Sequence, residues 1–233
     1  MQPSEKRERP RGQNFWRKEP PIRAGTCMGR RAPHGSAGLE ISKPCSIIFR
    51  HMEKIKFRGG AEPSEGRSDE FVGITSERIR HLLKAGTPQT EMLAYLARAG
   101  EELAGEGSVV SILVLDGEGL LRNGASPGLP KDYLAAIDRL KPHPDLGTCA
   151  SAAATGCVVL TPDFRADDKW AELRHLPMSL GFAGAWSMPI KSPGGTVLGT
   201  FGTYYREVRV PTAKERQGVK FLAHAAATVL EDF

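Results

Sequence analysis

The chain has 233 residues, of which 40% are hydrophobic and 25% charged, a composition that suits one globular domain with a long extension. It contains no apolar stretch near the ~18 residues of a membrane helix and no apolar segment behind its charged N-terminus as in a signal peptide, so we expect a cytoplasmic protein. The net charge of +5 comes from residues 1–70, with 15 Lys and Arg against 9 Asp and Glu, whereas residues 71–233 hold 17 against 18 and give no reason to expect a nucleic-acid partner.

Residues 1–70 are predicted to form a disordered basic arm. They carry scattered Pro, Gly, Arg and Glu and few large apolar side chains, which can hardly offset the roughly 1–2 kcal/mol per residue that backbone ordering costs. An arm that touches nucleic acid or an anionic membrane is the alternative, but Glu interrupts its basic residues. A third interpretation places the natural start at Met28 or Met52. The arm's potential zinc ligands lack the close cysteine pair that structural zinc sites use, and no metal site is predicted from Cys27, His34, Cys45 and His51.

The pattern becomes regular from residue 71 onward. Residues 75–83 are typical of a short helix, and Thr87 and Pro88 indicate the N-cap and first position of the next helix. Apolar residues then recur at helical spacing until Gly105: Met92, Leu96, Ala99 and Leu103. The alternating, β-branched segments that follow predict a hairpin of two strands, 108–115 and 120–125, joined by turn residues.

The middle of the chain is predicted to be mostly helical. Residues 130–140 indicate a helix, and Thr148 is a plausible N-cap of a second one that ends before Gly156. A short strand at 157–160 is followed by a helix that starts at Asp167 and Asp168, where the dipole favours negative charge, and that Pro177 ends.

Two strands, 183–190 and 196–205, form a second predicted hairpin near the C-terminus. Thr212 with Glu215 three residues later is a capping-box pattern for the last helix. Two hairpins joined by a helical middle predict one antiparallel sheet with helices on its faces, an α+β fold.

The segment from Leu146 to Thr212 resembles the second half of a GAF domain, in particular the modules of bacterial signalling proteins that are joined to histidine kinases, diguanylate cyclases or PAS domains. Asn123–Pro127 with Leu129 and Pro130 also fits the hairpin and following helix of that family. The resemblance extends over about residues 75–233 and rests on Gly147, Cys149, Asp163, Trp170, Trp186–Ser187, Pro189–Ile190, Val197–Phe201, Tyr204–Arg206 and Pro211–Thr212.

This resemblance implies a GAF-like, PAS-related six-stranded antiparallel sheet at 71–233, with helices packed on its faces and a small-molecule pocket over one face. It implies a cytoplasmic sensory module in signal transduction, including two-component or cyclic-di-GMP signalling, with a kinase or cyclase as output partner and an unidentified ligand. The cofactor is left unknown.

The ligand pocket is predicted to involve four aromatic or thiol side chains and two hydroxyls that interrupt apolar strands. Large aromatic residues are more often part of the core than of a pocket, and a strand face over a cavity would tolerate the hydroxyls. The predicted contacts are Cys149, Trp170, Trp186, Ser187, Thr200 and Tyr204, with Phe201 as a further aromatic candidate. His143 and Asp145 precede this segment, and a haem or metal role for His143 is less expected than a solvated loop position.

Cys149 supports an alternative, enzymatic interpretation. A helix N-terminus lowers the pKa of a thiol, and one GAF subgroup reduces free methionine sulfoxide with cysteines; the competing interpretation is a small residue packed beneath the sheet. A direct bond to Cys157 is not expected, because eight helical positions separate Cα atoms by roughly 12 Å, beyond the ~7 Å limit of a disulfide. The subgroup's Ile-Ala-Cys-Asp pattern is replaced by residues 182–185, which contain no thiol.

Other chemistries lack their motifs in this chain. No cysteine is followed by histidine, as in bilin-binding GAF domains, and the Asn-Lys-x-Phe-x-Asp-Glu pattern of cyclic-nucleotide GAF domains is missing. Phosphate-binding and hydrolase signatures are also missing.

The terminal helices are predicted to carry the output. The seam of the last helix consists of Val219, Leu222, Ala226, Val229 and Phe233. Both this seam and that of the helix from residue 88 suit packing on the sheet, and both would also suit a homodimer. A ligand-free dimerisation module is therefore a further alternative.

Overall fold

The computed structural model describes residues 65–232, with side chains from residue 70 onward. Nearly all of the predicted arm, its four candidate zinc ligands and Phe233 lie outside this range. The first helix, α1, spans Glu65–Lys84, so it is longer than the predicted 75–83 and crosses the boundary drawn at residue 71.

Helix α2 spans Gln89–Ala104 and begins one residue later than predicted. Pro88 has extended backbone angles and is the N-cap, so Thr87 lies outside the helix and no side chain caps it. The predicted apolar seam is confirmed for Met92, Leu96 and Ala99, which are buried.

One antiparallel sheet forms the centre of the fold, with the strand order β2-β1-β5-β4-β3. The described residues contain five strands, one fewer than predicted: β1 (Val109–Leu115), β2 (Leu121–Ala125), β3 (Val159–Thr161), β4 (Gly184–Lys191) and β5 (Val197–Tyr205). Both predicted hairpins are confirmed, since β1 pairs with β2 and β4 pairs with β5.

The helical middle is more broken than the sequence indicates. Its helices are short: α3 (Lys131–Ala136), α4 (Thr148–Thr155) and α5 (His175–Ser179). The helix predicted from Asp167 is a single 3-10 turn at Asp168–Trp170. Pro177 does not end a helix but lies in the first turn of α5, where a missing N–H leaves no hydrogen bond unmade.

The last helix, α6, spans Ala213–Glu231 and has the predicted capping box. The backbone N–H of Glu215 donates to Thr212 Oγ1 at 3.2 Å, and the N–H of Thr212 donates to Glu215 Oε2 at 2.6 Å. None of the described helices has the length and apolar character needed to cross a bilayer.

The two faces of the sheet support two separate apolar clusters. On one face, which we call the helical face, α2 and α6 pack over Phe201 and Tyr205 of β5. On the other, the pocket face, α4 and the loops around it cover Tyr204. Because side chains alternate along a strand, neighbouring residues of β4 and β5 belong to different clusters.

A candidate ligand cavity beneath helix α4

Helix α4 lies close against the pocket face because its residues are small. Its sequence, TCASAAAT, leaves six residues buried. Gly147, not Thr148, is the N-cap, with φ 56° and ψ −171°, a conformation that favours glycine. The Gly147 N–H donates to Lys169 O at 2.7 Å, and this bond places Trp170 over the start of α4. Gly156 is the predicted C-terminal stop, with left-handed φ 61°.

The close approach of α4 to β5 also depends on Gly202. A Cβ at this position would lie 2.8 Å from Cys149 Sγ, closer than side chains tolerate. The thiol itself lies 3.1 Å from the Ser187 hydroxyl. Cys149 is a free cysteine, so the expectation that it does not bond Cys157 is confirmed.

Burial decides the chemistry of this thiol. The pKa of Cys149 is raised, because removal from water penalises the thiolate more than the neighbouring hydroxyls of Ser187, Thr200 and Thr148 favour it. The lowering of this pKa that the enzymatic alternative requires is therefore not found, and the burial agrees with the competing interpretation of a small residue packed beneath the sheet. The partial charge at a helix end is worth far less than the desolvation of a fully buried anion.

An enclosed cavity opens beside the thiol, between α4, α3 and the sheet. Its volume is about 20 Å³, which is room for a single water molecule. Most of its wall is apolar, and the lining residues are Leu113, Tyr133, Ile137, Leu140, Leu146–Ala150, Trp170, Leu173, Leu176 and Tyr204.

Two tyrosines of the cavity wall are hydrogen-bonded to each other. The hydroxyls of Tyr133 and Tyr204 lie 3.1 Å apart, and the rings meet edge to face with centroids 6.1 Å apart. Burial raises the pKa of both phenols well above the usual value. Both hydroxyls therefore stay protonated in the neutral range, and only one of their two protons is used in the bond between them.

Several buried polar atoms on this side of the sheet have no hydrogen-bond partner in the described residues. They are Thr148 Oγ1, Trp170 Nε1 and Thr200 Oγ1. Thr148 and Trp170 line the cavity directly. A buried polar atom without a partner costs about 1–3 kcal/mol, so this concentration of them indicates a place where a guest or a water completes the bonding.

Comparison with known proteins identifies the fold. A family model described as GAF domain matches residues 86–231. The chain belongs to the GAF domain family.

Among curated proteins, this GAF domain is similar to the methyl sulfide methyltransferase-associated sensor of Methanosarcina acetivorans. The two are 31% identical over 169 residues, which cover 72% of this chain and 17% of that sensor. The chain thus spans about a sixth of the length of this relative.

Solved structures share the fold at low identity. The GAF domain of a phosphoenolpyruvate-protein phosphotransferase from Coxiella burnetii has a TM-score of 0.59 and 15% identity, covering 72% of this chain and 96% of that one. The type II free methionine-R-sulfoxide reductase of Thermoplasma acidophilum has a TM-score of 0.51 and 16% identity, covering 63% and 97%. At such identities, these likenesses show the fold alone.

The GAF fold brings five of the six predicted contact residues to the pocket face. Cys149, Trp170 and Tyr204 line the cavity. Ser187 contacts the Cys149 thiol, and Thr200 lies on the same face of β5 as Tyr204.

Trp186 lies on the opposite face of the sheet and does not join them. Its indole N–H donates to the Tyr205 hydroxyl at 2.9 Å, within the helical-face cluster that also contains Phe201. The alternation of β4 alone would have separated Trp186 from Ser187. The cavity residues missed by sequence analysis are chiefly Tyr133 and Thr148, which the pattern assigned to a helix and to a cap.

His143 lies in an exposed loop, where its Nδ1 accepts the Asp145 N–H at 3.2 Å. The described residues contain no group of three or more potential metal ligands. A wide, open depression of about 660 Å³ lies next to this loop and is lined by aspartates and Lys169. Two of its four aspartates have ion pairs, Asp167 with Lys169 at 2.8 Å and Asp163 with Arg165 at 3.0 Å.

A buried hydrogen-bond network occupies the helical face opposite the cavity. The Tyr205 hydroxyl, which accepts from Trp186, donates to Glu215 Oε1 at 3.1 Å. Arg209 pairs with Glu215 at 2.8 Å and donates to Ala104 O at 3.0 Å, with its guanidinium 3.5 Å above the Tyr205 ring. The network thereby ties the start of α6 to the end of β5 and the end of α2.

Charge pairing controls the ionisation of this network. Burial acts to raise the pKa of Glu215, but hydrogen bonds from Arg209 and Thr212 outweigh it and lower the pKa below its usual value. Glu215 is therefore a buried carboxylate that stays charged.

Proposed function

We propose that this GAF domain is a sensory module of a signalling protein, which binds a small molecule in the cavity beneath α4 and passes the change to α6. The observation that carries the proposal is the enclosed cavity in which Thr148 and Trp170 present unpaired polar atoms. The curated relative, a sensor, and the GAF family as a whole support a sensory role.

Two pairs of neighbouring residues provide a route across the sheet. Ser187 contacts Cys149 on the pocket face, while Trp186 next to it belongs to the network on the helical face. Tyr204 lines the cavity, and Tyr205 next to it bonds Glu215 at the start of α6. A guest that displaces β4 or β5 would also move the anchor of α6, and so shift its packing equilibrium.

The partner that reads this change is proposed to be a kinase or cyclase domain, reached through the terminal helices α1 and α6. The same helices would support a homodimer, since Val72 and Ile74 on α1 are exposed apolar residues. A dimer that forms in the absence of any guest would favour the ligand-free alternative.

The reductase alternative is weaker on physical grounds. A nucleophilic cysteine acts as the thiolate, whereas burial raises the pKa of Cys149. In addition, the Ser187 hydroxyl lies against the thiol at 3.1 Å. A Cys149→Ser variant is expected to bind as the natural protein does, and loss of a measured methionine sulfoxide turnover on this substitution would favour the reductase instead.

Native mass spectrometry of the full chain, purified without denaturation, tests ligand binding. We expect a retained small molecule that is lost from Ala150→Leu, which fills the cavity, and kept by Ala227→Leu, a buried alanine of the helical face. Circular dichroism confirms that both variants fold. A mass that matches the bare chain in every preparation, including protein incubated with cell extract, would contradict the proposal.

A further inference from the structure

We infer that the cavity selects a small, uncharged molecule with one exposed hydrogen-bond acceptor, such as a carbonyl or sulfoxide oxygen. This inference rests on the proposed function, because it names the class of guest for the same cavity. It follows from the hydrogen-bond donors of the cavity wall, its lack of charged side chains and the small volume of the cavity.

The unpaired indole is a donor, whereas the unpaired threonine hydroxyl can donate or accept. An indole N–H such as that of Trp170 can only donate, and it has no acceptor among the described residues. The edge of this ring next to Nε1 faces the N-cap of α4, since a Cβ on Gly147 would lie 3.5 Å from Cζ2 and 3.7 Å from Cε2. The hydroxyl of Thr148, next to Gly147 in sequence, has no hydrogen-bond partner within the usual distance among the described residues, although it lies near enough to the Cys149 thiol to favour its charged form. An acceptor atom in the cavity would satisfy the indole N–H, and the Thr148 hydroxyl can also donate to an acceptor.

Other groups of the wall add to the excess of donors. The Tyr133–Tyr204 pair keeps one O–H proton that their mutual bond does not use. No side chain caps α4, and the first N–H groups of a helix have no partner within it. The positive end of the helix dipole reinforces the preference for a partly negative atom.

A full charge does not fit the same wall. The lining residues include no lysine, arginine, histidine, aspartate or glutamate, so a bound ion would lose its hydration without a counter-ion. A cation would in addition face the positive end of α4. A carboxylate would gain from that end, but by far less than its desolvation costs.

The guest must also be small and partly apolar. Most of the remaining wall consists of leucine and isoleucine side chains, together with Ala150 and the Cys149 thiol, and the enclosed volume is about 20 Å³. A guest of a few non-hydrogen atoms would therefore have to displace side chains of the short α3 or of the Trp170 turn.

Four probe molecules share nearly the same planar, Y-shaped skeleton but differ in polarity and charge. Acetone is a neutral acceptor, acetate an anion, isobutene an apolar molecule and acetamidinium a cation. Each is titrated into the ¹⁵N-labelled full chain, and the indole N–H signal of Trp170 is followed, assigned through a Trp170→Phe variant. We expect acetone to shift this signal saturably, with a dissociation constant at least about tenfold lower than that of each of the other three probes. The Trp186 signal, on the other face, should stay in place.

The hydroxyl of Thr148 provides the matched test of mechanism. Thr148→Val, which keeps the side-chain shape, should weaken acetone binding about tenfold. Thr203→Val removes an equally buried, unpaired hydroxyl on the helical face, and should leave acetone binding unchanged. Equal effects of both variants would overturn the assignment of Thr148.

The outcomes separate this inference from the proposed function. Binding of acetate, acetamidinium or isobutene at least as tight as that of acetone overturns the ligand class and leaves the sensory proposal standing. Failure of every probe to shift the Trp170 signal also overturns the class. Only a chain that retains no guest in native mass spectrometry removes the sensory function itself.

Discussion

Replacement of Glu215 by glutamine tests whether the buried network holds α6 on the sheet. The side chain of Glu215 accepts hydrogen bonds from Arg209, from the Thr212 backbone and from Tyr205, and glutamine keeps its size while removing its charge. Breaking a fully buried ion pair costs about 3–5 kcal/mol. The Arg209 side chain is 23% exposed, so we expect a smaller loss of about 2–3 kcal/mol in the free energy of unfolding.

Chemical and thermal unfolding of the full chain measure this loss. A change of this size lowers the melting temperature by about 4–12 °C in a domain of this length. The matched control is Glu118→Gln, which breaks an equally short pair with Arg139 at the surface and should cost at most about 0.5 kcal/mol. If the two substitutions cost the same, the network does not anchor α6.

The pH dependence follows from the lowered pKa of Glu215. A carboxyl group whose pKa is lower in the folded state stabilises the fold above its unfolded pKa, and this contribution disappears as the pH falls through the folded value. The difference in stability between the natural chain and Glu215→Gln should thus be full at neutral pH. It should shrink below about pH 4, and a difference that stays constant down to pH 2 would refute the charge-based explanation.

Further predictions concern the pocket face. Gly202→Ala should lower the free energy of unfolding by about 1–3 kcal/mol, because its Cβ meets the Cys149 sulfur. Adding Cys149→Ala to this variant should recover part of the loss. If the two substitutions instead cause additive losses in urea unfolding, the contact is contradicted. In a variant that keeps Cys149 and has serine in place of Cys27, Cys45 and Cys157, maleimide should label the thiol slowly at pH 7.5 in the folded chain and rapidly in denaturant. Equal rates would refute the burial of Cys149. In ultraviolet titration, Tyr133 and Tyr204 should ionise only well above pH 10, and replacement of either by phenylalanine should remove one late-titrating phenol.

The sheet was predictable because local patterns report it directly. Both hairpins have alternating strands on either side of turn residues, and the Thr212–Glu215 capping box depends only on residues three apart. The helical middle was less predictable, because its segments are too short to show a periodicity. Pro177 illustrates the difficulty, since its effect depends on whether it falls in the first turn of a helix or later.

The site was only partly predictable, because it depends on which face each residue occupies. The hydroxyls of Ser187 and Thr200 stood out as polar residues in apolar strands, and both lie on the pocket face. Trp186 was misplaced although strand alternation contained the answer. The raised pKa of Cys149 could not be read from sequence, because it requires the complete burial that the whole fold imposes.

The glycine at position 202 has a consequence for any attempt to redesign this domain. Its lack of a side chain allows α4 to pack close to β5, so a larger residue at this position would push α4 away from the sheet. Because α4 and α6 pack on opposite faces of the same sheet, a change that widens the cavity beneath α4 would also alter the surface on which α6 packs. Under the proposed function, a new ligand preference with an intact output would therefore require paired changes on the two sides of β5.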